Sequence, residues 1–157
     1  MKKNNFSRLF AAMLFVAVLV LTGCNPQPKK GSIYADWVDS AKCHYEITKD
    51  SVKNYGEGWE GYTGNNVTVD EISDTDGYIY IKYTKAMNPD WSYSADAPDV
   101  GKWYAISYTD LTEKTVKLSG AYKADGKSAC DTLEDAKKEF TVANGYFAKY
   151  SECSIAE

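Results

Sequence analysis

Residues 33 to 157 predict a mainly β domain, an antiparallel sandwich or barrel of eight or nine strands with one short helix before the last strand. Three observations carry this. Apolar residues recur with a period of two along most of the stretch, turn-forming clusters interrupt them at intervals of about a dozen residues or fewer, and one segment alone changes to helical spacing. Alternation at period two gives a strand one buried and one wet face, whereas the helical period wraps a stripe around a cylinder.

The strands predicted in order are Ile33 to Val38, Cys43 to Thr48, Ser51 to Tyr55, Trp59 to Tyr62, Asn66 to Ile72, Tyr78 to Thr84, Lys102 to Thr109, Lys114 to Tyr122 and Gly145 to Glu152. Ile79, Ile81 and Tyr83 alternate with Tyr78, Tyr80 and Lys82. Tyr104, Ile106 and Tyr108 alternate with Ala105, Ser107 and Thr109. Turns are expected at Lys49-Asp50-Ser51, Gly64-Asn65-Asn66, Asp74-Thr75-Asp76-Gly77 and Thr112-Glu113-Lys114. Between Asp131 and Phe140, Leu133, Ala136 and Phe140 fall on one helical face. Asp131 or Thr132 can cap it, Glu134 and Asp135 suit its first turn, and Lys137 and Lys138 come later. A helix this short is not stable alone, so Leu133 and Phe140 must dock on the sheet.

The chain ahead of this domain is of another kind. Its first 23 residues carry Lys2, Lys3 and Arg8 and no carboxylate, and Leu9 to Leu21 is unbroken apolar sequence. Thirteen residues at 1.5 Å each fall short of a hydrocarbon core about 30 Å thick. A basic start and a short apolar run describe a secretory signal peptide, residues 1–23. Leu21-Thr22-Gly23-Cys24 resembles the lipobox of bacterial lipoproteins. The resemblance implies cleavage before Cys24, lipidation of its thiol, and acyl chains such as palmitate that anchor the mature protein to a membrane. Each buried CH₂ contributes about 0.8 kcal/mol, so two or three chains hold firmly. Asn25 stands where an Asp would favour inner-membrane retention, which points to the outer membrane of the cell envelope. Residues 24–32 (CNPQPKKGS) then read as lipidated Cys and tether.

From residue 33 on, 13 cations face 22 carboxylates. Such a body is a poor partner for nucleic acid, which is held by clustered Lys and Arg. The residues quoted for the strands and helix resemble a lipocalin-like (calycin-type) barrel. Gly77 to Thr84, Gly101 to Leu111 and Thr132 to Thr141 are similar to segments of small lipoproteins of treponemes and related spirochaetes, a family with no assigned activity. The resemblance implies one barrel domain and no enzyme. Lipocalins carry Gly-x-Trp on the first strand, whereas Gly31 and Trp37 here stand six apart.

Two ligand readings follow: a small apolar ligand inside the barrel, or a protein or glycan partner at the rim. Lys85 to Gly101 (KAMNPDWSYSADAPDVG) is the one long gap between predicted strands, and long loops are often functional. Trp91 and Tyr93 within it are candidate contacts. So are Tyr78, Tyr80 and Trp103, because tyrosine is in excess (13 against 5 Phe) and Tyr and Trp recur at recognition surfaces. A monomer is expected.

No catalytic residue, metal site or cofactor is expected. Gly56-Glu57-Gly58-Trp59-Glu60-Gly61 has the letters of a dinucleotide loop, but strand-like residues follow it and its two Glu would repel phosphate, so it reads as a turn. Asp74-Thr75-Asp76-Gly77 opens like a calcium loop. Tyr78 and Lys85 stand where acceptors are needed, so a hairpin turn with Gly77 at positive φ is expected. His44, the only His, and Cys43 are consecutive strand residues and face opposite ways, which separates them as nucleophile and base. A hydrolase using Asp90, Asp96 and Asp99 is a third, weaker reading. With Cys24 lipidated, a disulfide joins Cys130 to Cys153 or, alternatively, Cys43 to Cys153, or all three stay reduced.

Overall fold

The computed structural model describes residues 31 to 157. The signal peptide, the lipobox and most of the tether lie outside the described residues. Nine strands and one helix follow: β1 (Asp36–Asp39), β2 (His44–Ile47), β3 (Ser51–Gly56), β4 (Trp59–Glu71), β5 (Gly77–Met87), β6 (Tyr93–Ser94), β7 (Trp103–Thr109), β8 (Thr115–Gly120), α1 (Leu133–Glu139) and β9 (Ser151–Ile155). Each strand pairs antiparallel with its neighbours, and β1–β9 and β4–β5 complete the circuit. The result is a closed eight-strand antiparallel barrel, with β6 as an extra two-residue strand beside the end of β5. Closure leaves the main strands without a free edge.

The expected alternation decides which side chains face inward. Ile79 pairs with Ile106 and Ile81 with Tyr104, while Tyr108 pairs with Gly77 and Leu118. Trp37, Ile47, Val52, Ile79, Ile81, Ile106, Tyr108, Val116 and Leu118 are fully buried and fill the middle of the barrel. The other face of β5 and β7 is covered as well, by α1 and the segment that follows it. Tyr80 lies under the Lys137 ammonium (5.6 Å to the ring centre), which also pairs with Asp70 at 2.7 Å. Tyr78 meets Phe147 with ring centres 5.4 Å apart, and Ser107 and Tyr150 share a hydrogen bond of 2.8 Å.

Several boundaries differ from the expected ones. Gly64-Asn65-Asn66 is no turn: β4 runs through it as one 13-residue strand, and the pairing with β5 shifts register between Asn65 and Thr68 while Asn66 takes φ 54°. It is a β-bulge, a feature that uses the same residue types as a turn. Gly77 is needed for space rather than positive φ, because a Cβ there would overlap the Tyr108 hydroxyl and the Asp70 carbonyl. The last strand begins at Ser151, not Gly145. Tyr146 and Phe147 are apolar because they bury against the barrel wall, with Phe147 itself at φ 62°. The first strand likewise begins at Asp36, and α1 has seven residues.

The two ends of the barrel differ. At one, the turns at 48–50, 72–76 and 110–114 are short and braced: the Thr48 and Thr112 hydroxyls accept from the Ser51 and Thr115 amides, both at 2.9 Å. The Asp76 carboxylate accepts from Ser73, Thr75 and the Asp110 amide, so this would-be calcium loop is a brace. The described chain also enters here. Gly31 lies so close to the Thr112 carbonyl that a Cβ would overlap it, Ile33 is buried, and the Trp37 indole donates to the Ile33 carbonyl at 2.8 Å. At the opposite end lie the 40–43 and 57–58 turns, the 88–102 connection and the start of the long 121–150 crossover, which then runs down the outer wall of β5 and β7.

Candidate functional site at the open end

Three tyrosines from three strands meet inside this second end. Tyr62 packs edge-on to Tyr83 and Tyr104, with centroids 5.9 and 5.4 Å apart, and Tyr83 stacks on Tyr104 at 4.9 Å. Their positions follow from the pairing: Tyr83 and Tyr104 continue the inward rows of Ile79–Ile81 and Ile106–Tyr108, and Tyr62 lies on β4 beyond the Gly64–Tyr83 pair. They line a cavity of about 600 Å³ whose rim includes Tyr93, Met87 and Tyr122.

The Tyr62 hydroxyl is fully buried and has no hydrogen-bond partner among the described residues. A buried hydroxyl left unpaired costs about 1–3 kcal/mol, so such groups are rare and call for a reason. Burial, then the neighbouring Tyr104 phenol, pushes Tyr62 well above the ordinary tyrosine range. Burial also raises Tyr83 and Tyr104, the latter against hydrogen bonds from the Ala121 backbone and the Tyr83 hydroxyl. At any physiological pH the cluster therefore presents neutral phenols. The charges around it are already matched. Asp99 takes Lys102 at 2.9 Å and the Ser128 hydroxyl, Lys127 pairs with Glu139 at 3.8 Å, and Lys123 donates to the Asn144 carbonyl at 2.9 Å.

The Lys85–Gly101 segment is more ordered than a loop. β5 extends to Met87, which pairs with Tyr93 across a hairpin. The Asn88 amide donates to the Ser92 carbonyl at 2.7 Å, and Asp90 accepts from the Ser92 amide and hydroxyl. Trp91 stands at the tip, 74% exposed and at φ 68°. Tyr93 faces the cavity. Tyr78, Tyr80 and Trp103, the other candidates, are not brought to it: they lie on the outer wall, Tyr78 and Tyr80 beneath α1 and Phe147, and Trp103 against the strand-like bridge to Cys130. Tyr62, Tyr83 and Tyr104 were absent from the expected site because inward tyrosines read as core. The signal that finds them is their recurrence at the same end of three strands.

His44 lies on the outer face, stacked on Tyr55 (centroids 4.8 Å apart, planes 9°) and bonded through Nδ1 to Asp36 at 3.1 Å, while the Tyr55 hydroxyl donates to Asp36. The Cys43 sulfur accepts from Asn54 Nδ2 at 3.1 Å. Of the three acidic candidates for hydrolysis, Asp90 is held below the usual carboxylate range by the Ser92 hydroxyl and amide. In Asp99, Ser128 and Lys102 together outweigh the upward push of burial.

Neither expected disulfide is made, and the three described cysteines are free. Cys130 bridges Trp103, whereas Cys153 pairs with Val116, one residue past the Lys117–Thr109 pair. That places them seven residues apart along β7, roughly 23 Å at 3.3 Å per residue. Cys43 and Cys153 flank Asp39 from opposite edges of β1. Two strand spacings, about 9.5 Å between Cα atoms, exceed disulfide reach. No group of side chains that could hold a metal ion occurs among the described residues, and none of their helices is long and apolar enough to cross a membrane. No protein-family model, curated protein or solved structure matches this chain.

Proposed function

We propose that this chain is a lipid-anchored binding module of the bacterial envelope, non-enzymatic, whose ligand enters the open end of the barrel. An open cavity of about 600 Å³ walled by Tyr62, Tyr83, Tyr93 and Tyr104 carries the reading. A ligand with an apolar body covers these aromatic walls. The middle of the barrel is occupied by its own side chains, so the site is the mouth rather than a through-going calyx. The anchor follows from the lipobox resemblance at Cys24. Because the described chain enters at the Thr112 end, a tether there directs the mouth away from the membrane.

A neutral hydrophobic dye, Nile red, tests the mouth on mature chain carrying Cys24→Ser. One saturable site is expected, weakened at least about tenfold by Tyr93→Ala. Absence of saturable binding, or binding indifferent to that change, would sink the reading. Detergent phase partitioning tests the anchor: the wild type enters the detergent phase and Cys24→Ser does not. A second reading, a protein partner held at the 88–92 hairpin, rests on the exposed Trp91.

A further inference from the structure

Among the described residues, four of the eight large apolar side chains that stay exposed belong to the open end: Trp59, Met87, Trp91 and Tyr122. Tyr122 follows β8, Met87 ends β5 and Trp59 opens β4, so these positions trace an arc over the neighbouring strands β8, β7, β5 and β4. Met87 and Tyr122 stand at the edge of the cavity, with Asn88 and Pro89 beside Met87. Trp91 projects furthest, from the tip of the 88–92 hairpin.

Trp91 is held there against its own preference. A bulky residue at φ 68° is strained, and it persists only where the surroundings over-determine it. They do so here: the Trp91 amide donates to the Asn88 carbonyl at 3.0 Å, and Asn88 Nδ2 donates to the Ser92 and Ser94 hydroxyls at 3.1 and 3.0 Å. The ring gains little burial in return, so the hairpin fixes an indole in water. The charges around this end do not select an ionic partner. Lys102 pairs with Asp99, Lys85 with Glu60 and Lys127 with Glu139, while Lys42 and Lys123 share the rim with Glu57 and Asp125. Indole and phenol rings settle at the headgroup level of a bilayer, where one end is apolar and the other wet. A lipid surface without net charge suits both the rings and the balanced rim. It is also where an apolar ligand resides outside the mouth, since water holds little of it. The described chain enters at the Thr112 end, which leaves this end free to meet a facing bilayer.

We propose that Trp91, Tyr122, Met87 and Trp59 seat the mouth on a zwitterionic phospholipid surface, so that an apolar ligand passes between bilayer and cavity without crossing water. This rests on the mouth being the ligand site. The probe is vesicles of phosphatidylcholine, which offer the tether Lys29 and Lys30 no anionic surface. Mature chain carrying Cys24→Ser is expected to float with them and to have its indole emission quenched by brominated acyl chains. Trp91→Asn keeps a residue that tolerates the left-handed backbone and removes the ring. It should weaken vesicle association about tenfold and abolish most of the quenching, with the urea midpoint and vesicle-free Nile red binding retained. Adding Tyr122→Ser weakens association further. No association with phosphatidylcholine, association only when anionic lipid is present, or association that Trp91→Asn leaves intact overturns the docking surface, while saturable Nile red binding keeps the mouth. Vesicle association without Nile red binding does the reverse: the mouth falls as a ligand site and the docking surface stands.

Discussion

Tyr62 is the residue where stability and use are expected to pull apart. Its ring belongs to the core, and its hydroxyl has given up water without receiving a partner. Removing a buried, unpaired hydroxyl while keeping the ring relieves a penalty of about 1 kcal/mol. Tyr62→Phe should therefore unfold at equal or higher urea concentration than the wild type, with unchanged m-value. If the variant is instead weaker by a kcal/mol or more, the hydroxyl has a partner. Tyr146 is the contrast. Its hydroxyl donates to Glu139 at 2.8 Å and accepts from the Lys127 amide at 2.8 Å, as a buried phenol ordinarily does.

Among the elements, α1 shows what local sequence decides and what it leaves to packing. Thr132 caps it as expected, its hydroxyl accepting from the Asp135 amide at 3.1 Å, and the Asn144 side chain closes the other end on the Lys138 and Glu139 carbonyls. With seven residues the helix depends on these caps and on the burial of Ala136 and Phe140. Thr132→Ala should cost about 1 kcal/mol in urea unfolding, and a loss below a few tenths would mean that packing alone holds the helix. Apart from β6, which falls in the expected loop, the strands from β1 to β8 were legible because their alternation reports burial on one face. Gly64-Asn65-Asn66 misled because turns and bulges draw on the same residues. Tyr146 and Phe147 misled because an apolar pair says that something is covered without saying by which element. The mouth was not legible at all: inward tyrosines look like core until closure shows that three of them share one open end.

At the scale of the whole molecule, a barrel lined and clad with tyrosine acquires a pH limit on its alkaline side. Nine of the thirteen tyrosines are pushed upward, by burial first in every case. Tyr80 and Tyr108 reach about 12, Tyr45 and Tyr104 lie higher still, and Tyr62 and Tyr83 lie well above the ordinary tyrosine value. Burial pushes the Cys153 thiol to about 12 in the same way. In the unfolded chain these phenols release their protons near pH 10 and the thiol near 8.5, while the native barrel still holds them. The unfolded state then binds fewer protons than the native one, so stability falls as pH rises. Stabilisation from these groups is complete below about pH 8 and is lost progressively from there through 12, the thiol first and the phenols above 10. Phenolate absorbance at the red edge of the tyrosine band, recorded with near-ultraviolet circular dichroism, reads this directly. The buried class should ionise only as the tertiary signal collapses, in a single cooperative step above pH 10. Ionisation that ran to completion while the tertiary signal stayed native would mean that water reaches these rings, and that the barrel is not closed around them.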